Sequence, residues 1–318
     1  MRSCSKSHGA SLSQSHVKVI VNPAAGGGSI RRQWPQIHDQ LIDLGLSFEY
    51  EFTKSPGHAA DIAKREADTG CTYIIAVGGD GTINEVANGI LSAANPKSTV
   101  LGIVCAGTAC SIARSLGITQ DTTGACSILV GQGRISIDVG IVECQNKGSK
   151  IKRFFINEAS VGFGAEVMDI TKELPNRFGH YLNVMMRTAA AYGNLITHRN
   201  KWVTLRTNGE VEKIPACYVV VANGQYFADG MKVAPHARLD DGLLDLIVIG
   251  DVSKAELLKI VPLAYSGGHI DHPKIRNKKA SVITLESNEQ LLVEADGEIF
   301  GECPATFSVM PSALTVVV

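Results

Sequence analysis

The chain has 318 residues, of which 45% are hydrophobic, 19% are charged and 32 are glycine. These values exclude an intrinsically disordered, coiled-coil or collagen-like protein, and the length predicts two domains. The 30 Lys and Arg residues are balanced by 31 Asp and Glu residues, so no overall positive charge favours nucleic acid as a partner.

The N-terminal segment Met1–His16 contains six serines and no apolar run, which predicts a disordered lead-in and not a signal peptide. No apolar stretch approaches the ~20 residues needed to cross a bilayer. The eight cysteines include no CxxC pair, so we expect reduced thiols and neither a zinc site nor a disulfide framework. Together these features predict a cytoplasmic protein.

Short apolar runs alternate with helical patterns in residues 17–135. Strands are predicted at Val17–Val21, Ser47–Thr53, Tyr73–Val77 and Val100–Cys105, with helices between and after them. This alternation is typical of a parallel sheet covered on both faces, which binds ligands at the carboxyl ends of its strands. We therefore expect these residues to form an α/β domain.

Residues 136–318 change to a pattern of strands, which predicts an antiparallel, β-rich second domain whose last ~15 residues pack back on the first. The predicted strands here are Ile135–Val142, Arg153–Asn157, Trp202–Arg206, Ala216–Ala222, Leu243–Ile249, Ser281–Leu285 and Leu291–Glu294. One helical stretch, about Gly179 to Thr197, carries apolar residues at helical spacing. Such a stripe is typical of core packing, and it also suits an acyl pocket.

The clearest chemical motif is GGDGTINE at residues 78–85, which follows a predicted strand and opens a helix. Its glycines let backbone N–H groups approach a phosphate, and the helix N-terminus adds partial positive charge. Asp80 would repel a phosphate unless a cation intervenes, which suggests Mg²⁺ held with a nucleotide. A simpler interpretation is a capping box between Thr82 and Glu85, which we also expect to form.

Two further loops with small residues end strands of the same predicted sheet, at residues 22–28 and 106–108. Each alone is compatible with a plain turn between a strand and a helix. Three such loops on one sheet edge indicate a nucleotide site. Neither loop ends in Gly-Lys-Ser/Thr and no GxGxxG motif occurs, which excludes a P-loop and a Rossmann-type site.

The chain resembles the diacylglycerol kinase catalytic-domain family, the soluble bacterial lipid kinases that are distantly similar to sphingosine and ceramide kinases. Six motifs occur in the family's order: NPAAGGG from Asn22, GGDGT from Gly78, GT at Gly107, VGFG from Val161, DDGLLD from Asp240 and DGE from Asp296. The resemblance covers nearly everything after Val17. It implies an ATP-binding α/β domain, a β-sandwich domain for the lipid, and a cleft between them where ATP phosphorylates a lipid hydroxyl.

The resemblance also implies roles for individual positions. The implied ATP contacts are Asn22, Pro23, Ala24, Ala25, Gly26, Thr53, Gly78, Gly79, Asp80, Gly81, Thr82, Ile83, Asn84 and Thr108. The implied Mg²⁺ site combines the Asp241 carboxylate with the backbone carbonyls of Arg238 and Leu243. One departure is Cys110, where the family often has Asn, and it weakens the expected polar contacts of that loop.

The two acidic motifs also have plainer interpretations. Residues 240–242 could form a solvated acidic turn, although a carboxylate with carbonyls is the hard oxygen donor set that Mg²⁺ prefers. Asp-Gly in the DGE motif is a common turn sequence, but a carboxylate there could accept the hydroxyl proton as the lipid oxygen attacks the γ-phosphorus. We favour Asp296 as this base, with Glu298 as the second candidate and Asp80 as a further catalytic residue.

Basic residues Lys274, Arg276 and Lys278 alternate, so on a strand they share one face, with Lys279 adjacent. This pattern is typical of a solvated edge strand, and it also suits contact with anionic lipid headgroups. We therefore expect peripheral membrane contact, and we leave homodimer formation open.

Two other functions remain as alternatives. An NAD kinase also uses GGDGT, and its Asn-Glu motif is echoed by Asn157 and Glu158. A regulator that binds nucleotide or lipid without catalysis is disfavoured by the retained Asp80, Asp241 and Asp296. The DGE motif and the DDGLLD segment favour a lipid acceptor, which the sequence leaves open among diacylglycerol, monoacylglycerol, phosphatidylglycerol, ceramide and other lipid alcohols.

Overall fold

The structure is a computed structural model that describes residues 16–107, 109–172, 198–228 and 230–318, together with Gly193. The lead-in predicted at Met1–His16 therefore lies outside the described residues except for His16. The same holds for Thr108 and, apart from Gly193, for the helical stretch predicted from Gly179 to Thr197.

Four parallel strands and their connecting helices form the N-terminal part. They are β1 (Val17–Val21), α1 (Ala25–Asp43), β2 (Glu49–Phe52), α2 (His58–Asp68), β3 (Tyr73–Gly78), α3 (Asp80–Leu91), β4 (Val100–Cys105), α4 (Ser111–Ser115) and α5 (Thr122–Leu129). Every residue of β1, β3 and β4 is buried. Continuous apolar strands of this kind result from helices on both faces of a parallel sheet.

The C-terminal part consists mainly of antiparallel strands. Its elements are β5 (Arg134–Asn146), β6 (Ser149–Phe155), β7 (Glu158–Gly162), α6 (Phe163–Lys172), β8 (Lys201–Thr207), β9 (Glu210–Ala216), β10 (Tyr218–Ala222), β11 (Leu244–Ile249), α7 (Lys254–Ala264), β12 (Ile275–Ala280), β13 (Val282–Glu286), β14 (Leu292–Ala295) and β15 (Glu298–Val317). Two layers of these strands enclose one apolar core, in which Phe155 and Phe307 are fully buried.

A continuous path of hydrogen-bonded strands runs through both parts, in the order β2-β1-β3-β4-β15-β14-β7-β10-β11-β12. The long strand β15 joins them, because its end pairs in parallel with β4 through Thr315 and Val100. The predicted fold class, an α/β part followed by a β-sandwich, is confirmed. The predicted domain boundary at 135/136 falls inside β5, and the division into two domains stays a prediction.

Helix α3 connects the two parts directly. The Asn88 side chain donates to the Phe154 carbonyl oxygen (3.0 Å) and accepts from the Phe154 N–H (3.1 Å). These bonds fix α3 against β6, and the Asn84 amide of the same helix donates to Asp296 Oδ2 in the turn between β14 and β15 (2.6 Å). The glycine motif at the N-terminus of α3 therefore faces the DGE motif across a short gap.

Candidate active site

Three loops with small residues meet at the carboxyl ends of β1, β3 and β4. A Cβ atom on Gly107 would lie 2.7 Å from the Gly79 Cα, closer than real Cβ contacts, so the two backbones touch. A Cβ atom on Gly26 would lie 2.9 Å from the Ala106 carbonyl oxygen. The loops that the sequence placed on one sheet edge are therefore in direct contact.

Hydrogen bonds fix the first loop against the second. The Asn22 amide donates to Thr82 Oγ1 (2.9 Å), and its Oδ1 accepts from the Ala24 N–H (3.0 Å). Thr53 follows β2 and donates its N–H to the Val21 carbonyl oxygen (2.9 Å). These predicted ATP contacts therefore lie on the same sheet edge.

The first loop also contains three successive glycines in the left-handed region, Gly26 (φ 59°), Gly27 (φ 64°) and Gly28 (φ 85°). Residues with a Cβ atom rarely adopt this conformation. A Cβ on Gly27 or Gly28 would meet no atom within 4 Å, so the loop has an open side. Consecutive backbone N–H groups in such loops form anion-binding concavities, which suits a phosphate.

The predicted capping box between Thr82 and Glu85 is wrong. The N-cap of α3 is Gly79, and no side chain caps this helix. Glu85 instead accepts the N–H groups of Gly57 (2.8 Å) and Ala59 (3.1 Å) at the N-terminus of α2. The prediction from the local sequence fails because the first N–H groups of α2 have no partners within their own helix. Helix α2 is remote from Glu85 in sequence but close in space, so Glu85 accepts these N–H groups instead.

Asp80 links the second loop to the third. Its carboxylate accepts the backbone N–H groups of Ser111 (3.1 Å) and Ile112 (3.0 Å) at the start of α4. Burial raises the pKa of Asp80, and these hydrogen bonds and the charge of Arg114 oppose the rise. Asp80 therefore organises the phosphate loops, and a direct catalytic role stays a prediction.

Two of the positions predicted to contact ATP have side chains that face away from the loops. Ile83 is fully buried in the core. Asn84 donates to Asp296 Oδ2 (2.6 Å) and to the Phe154 carbonyl oxygen (3.3 Å). The side-chain positions give these two residues structural roles and do not support contacts with ATP.

The Asp296 carboxylate anchors the turn between β14 and β15. It accepts four hydrogen bonds, from the N–H groups of Ile156 (2.7 Å), Asn157 (2.9 Å) and Glu158 (2.9 Å) and from the Asn84 amide (2.6 Å). Burial raises the pKa of Asp296 although these bonds favour its charged form. Four donors occupy the four lone-pair sites of a carboxylate. This geometry does not favour Asp296 as the base, which stays a prediction.

The Glu298 side chain is 42% exposed and faces the GGDGT loop. A Cβ atom on Gly81 would lie 3.8 Å from Glu298 Oε1. The other oxygen, Oε2, accepts a hydrogen bond from the Arg153 guanidinium at 2.5 Å. Glu298 is therefore the carboxylate of the DGE motif that can reach a group bound at the loops.

The predicted metal loop has a donor set that fits Mg²⁺. Asp241 accepts from the Leu243 N–H (3.1 Å) and from the Lys279 ammonium (2.7 Å). Asp245 is 1% exposed and lies 3.3 Å from Lys279, and neither of its oxygens has a regular hydrogen-bond partner. Two carboxylates face one ammonium, which leaves negative charge for a cation to neutralise.

Within the described ranges, no group of three or more His, Cys, Asp or Glu side chains is placed to hold a metal ion. A cation at this loop would therefore depend on the Asp241 carboxylate together with backbone carbonyls, including those predicted at Arg238 and Leu243.

Asp138 supports the same loop and escaped the sequence analysis. It is 1% exposed, and its oxygens accept the N–H groups of Gly242 (2.6 Å) and Ser312 (2.8 Å). In the sequence, Asp138 stands out only as a carboxylate within the apolar strand β5. Nothing in the sequence shows that its hydrogen-bond partners lie at residues 242 and 312.

The basic residues predicted to contact lipid headgroups are ion-paired. The pairs are Lys274 with Glu256 (2.9 Å), Arg276 with Glu212 (2.6 Å) and Lys278 with Glu210 (3.0 Å). These pairs cancel much of the positive charge of the patch. Membrane contact through these residues stays a prediction.

Comparisons with known proteins cover both parts of the chain. Residues 16–142 match the family model of the diacylglycerol kinase catalytic domain, and residues 157–318 match that of the YegS C-terminal NAD kinase beta sandwich-like domain. A diacylglycerol kinase of Staphylococcus haemolyticus (strain JCSC1435) is 30% identical over 290 residues, which are 91% of this chain and 84% of the relative. The chain belongs to the diacylglycerol kinase family.

A second relative, the diacylglycerol kinase of Staphylococcus carnosus (strain TM300), is 29% identical over 91% of this chain and 90% of its own length. A crystal structure of a diacylglycerol kinase from Bacillus anthracis str. Sterne aligns with a TM-score of 0.71 and 22% identity, over 95% of this chain and 96% of that chain. The structural match shows the shared fold. The predicted family and enzyme class, a lipid kinase, are confirmed.

The segments of this diacylglycerol kinase family member that the structure describes include no helix with the length and apolar character of a membrane span.

The expectation that all cysteines are reduced is wrong for two of them in the structure. Cys105 and Cys110 form a disulfide, with their Cα atoms 6.0 Å apart. Cys105 ends β4 and Cys110 directly precedes α4, so the bond closes the third loop of this kinase. No short sequence pattern marks the pair, because the approach depends on how the loop returns from the strand to the helix.

Reduction of this disulfide is expected to lower the free energy of unfolding by about 2 kcal/mol, the entropic contribution of a loop this short. Urea unfolding with and without dithiothreitol measures the change. Cys110→Ser should show the lower stability under both conditions. Equal stability of the oxidised and reduced wild type would contradict the prediction.

Proposed function

We propose that this kinase transfers the γ-phosphate of ATP, in the presence of Mg²⁺, to the hydroxyl group of a diacylglycerol-like lipid. The observation that carries the proposal is the position of Glu298 beside Gly81, which places a half-exposed carboxylate next to a phosphate-type loop. The names of the relatives support diacylglycerol as the acceptor class.

The three loops supply the phosphate site in this proposal. The Gly28 N–H donates to the Ala24 carbonyl oxygen (3.0 Å), so the backbone N–H groups of Gly26 and Gly27 and the N-terminus of α3 would bind the anionic phosphates. Asn22 and Asp80 hold the loops in one arrangement through the hydrogen bonds described above. When bound, Mg²⁺ neutralises charge on the phosphates. The positions of Asn22–Gly26, Thr53 and Gly78–Thr82 agree with an ATP site on this sheet edge.

Glu298 is the proton acceptor that the geometry favours. As the lipid hydroxyl oxygen bonds to the γ-phosphorus, the bond from phosphorus to the ADP oxygen breaks and the hydroxyl proton passes to Glu298. Arg153 orients Glu298, and the buried Asp296 holds the turn that carries it. Of the two carboxylates in the motif, Glu298 is the one with exposure toward a substrate.

Mg²⁺ is expected to raise the melting temperature of the wild type and not that of Asp241→Asn. The reason is that a cation bound by Asp241 stabilises the folded state and has no preformed site in the unfolded chain. Differential scanning fluorimetry with and without MgCl₂ measures the shift without any turnover. Asp240→Asn is the control, because Asp240 is paired with Arg238 at the surface. A wild type that does not respond to Mg²⁺ would refute the site.

The acceptor is tested with a panel of lipid alcohols in mixed micelles, with ATP or GTP as donor and mass spectrometry of the products. We expect phosphorylated diacylglycerol with ATP as the donor. The same panel includes NAD, because the C-terminal match is to a sandwich described as NAD kinase-like. Formation of NADP without any lipid phosphate would replace the proposal with an NAD kinase. A lipid acceptor also implies peripheral contact with a membrane, which we include in the proposal.

A further inference from the structure

Two buried carboxyl groups lie behind the DGE turn on neighbouring strands. Glu158 on β7 is 3% exposed and Glu294 on β14 is 0% exposed. The strands pair so that Glu294 is opposite Ser160, which brings the carboxyl groups of Glu158 and Glu294 within hydrogen-bonding reach of each other. Glu158 Oε2 is buried and has no hydrogen-bond partner among the described residues.

Glu294 is connected to the turn that carries Glu298. One Glu294 oxygen accepts the Gly297 N–H (2.8 Å), and the other accepts the Ser160 hydroxyl. The Glu158 carbonyl oxygen accepts the Asp296 N–H (2.9 Å). The turn needs these bonds because Asp296 has a left-handed backbone (φ 45°), which is unfavourable for a residue other than glycine.

Among the described residues, Glu158 and Glu294 have no basic ion-pair partner. The described ionisable groups that face the pair are Asp296 on the turn and the Tyr218 phenol on β10, with the Cys217 thiol beside that phenol. Burial and the neighbouring Glu294 raise the pKa of Glu158 well above its usual range, and burial raises the pKa of Glu294 to about 6.

We infer that Glu158 and Glu294 share one proton, and that the pair positions the turn so that Glu298 faces the phosphate loops. The protonated Glu158 donates to the Glu294 carboxylate, which completes three hydrogen bonds on Glu294 and fixes Gly297. Two adjacent buried anions would repel each other, so loss of the shared proton separates them. The positioning role rests on the proposed function, in which Glu298 accepts the substrate proton.

The shared proton has a signature in the pH dependence of stability. A carboxyl group whose pKa is raised in the folded state binds its proton more tightly there than in the unfolded chain. Stability of the wild type therefore falls as pH rises through the interval between the unfolded and folded pKa. Glu158→Gln supplies an N–H donor that does not titrate, so the stability of this variant should not fall with pH in the same way.

The first arm of the test compares melting temperatures from pH 6 to pH 9. The advantage of Glu158→Gln over the wild type should grow by about 3 °C across this range. Glu289→Gln, at an exposed position, is the control and should stay parallel to the wild type. Parallel curves for Glu158→Gln and the wild type, or a Glu158→Gln variant that does not fold, would overturn the shared proton.

The second arm measures the pH profile of lipid phosphorylation. The wild type should lose kcat at alkaline pH with an unchanged Kd for ATP, and Glu158→Gln should retain kcat there. If kcat falls at alkaline pH in the same way for the wild type and Glu158→Gln, the positioning role is overturned. Absence of any lipid phosphorylation by the wild type would overturn the proposed function and the positioning role with it, and the stability arm would still decide the shared proton.

Discussion

Glu298→Gln is expected to lower kcat by about 10²–10⁴-fold and to leave the Kd for ATP nearly unchanged. Glutamine keeps the size of the side chain and an oxygen for Arg153, but it cannot take up the hydroxyl proton. Because the ion pair with Arg153 is partly exposed, its loss should cost at most about 1 kcal/mol of stability. Steady-state kinetics and isothermal titration with ATP measure the two quantities separately.

Asp296→Asn is the matched comparison within the same motif. The carboxamide of asparagine would place its NH₂ group against backbone N–H donors in a buried site. Each N–H group left without an acceptor there lowers stability by about 1–3 kcal/mol. We therefore expect Asp296→Asn to unfold at a lower urea concentration than the wild type. If Asp296→Asn folds normally and loses only kcat while Glu298→Gln stays active, the proton acceptor is Asp296.

Asp80→Ala is expected to lower turnover on the order of 10²-fold, because a misplacement of about 1 Å in the groups that position a substrate can cost that much. Without its carboxylate, the N–H groups of Ser111 and Ile112 lose their acceptor, and only backbone contacts still join the second and third loops. Loss of a helix cap should also cost about 1 kcal/mol of stability. Kinetics and urea unfolding of the same preparation test both expectations.

Asp121→Ala controls for the capping contribution alone. Asp121 is the N-cap of α5 and accepts the Gly124 N–H, so its loss has the same local effect on a helix that carries none of the proposed site. This variant should lose similar stability and keep its turnover. Turnover of Asp80→Ala close to that of Asp121→Ala would show that Asp80 matters only for folding.

The parts of the site that depend on local chain geometry could be predicted from sequence. Glycine runs at the ends of apolar strands indicate tight loops, and the parallel arrangement of those strands places the loops on one edge. This reasoning is sufficient to bring Gly26, Gly79 and Gly107 together. The antiparallel character of the second part follows in the same way from the spacing of its strands.

The contacts between remote segments could not be predicted. Whether Asp296 or Glu298 faces the phosphate loops depends on the N–H groups of residues 156–158, at the junction of β6 and β7, which hold the Asp296 carboxylate. The partner of Glu85 is likewise set by the packing of α2 on α3. A sequence shows which residue types are present, but the competition between donors for one carboxylate is decided only in the folded chain.

We propose that this kinase moves the terminal phosphate of ATP to a lipid hydroxyl with Glu298 as the proton acceptor. The most direct measurement is a single-turnover reaction with γ-³²P-labelled ATP and diacylglycerol in mixed micelles. We expect the label to appear in phosphatidic acid with the wild type, and far more slowly with Glu298→Gln. Label found only in inorganic phosphate, or equal rates for the two proteins, would refute this transfer.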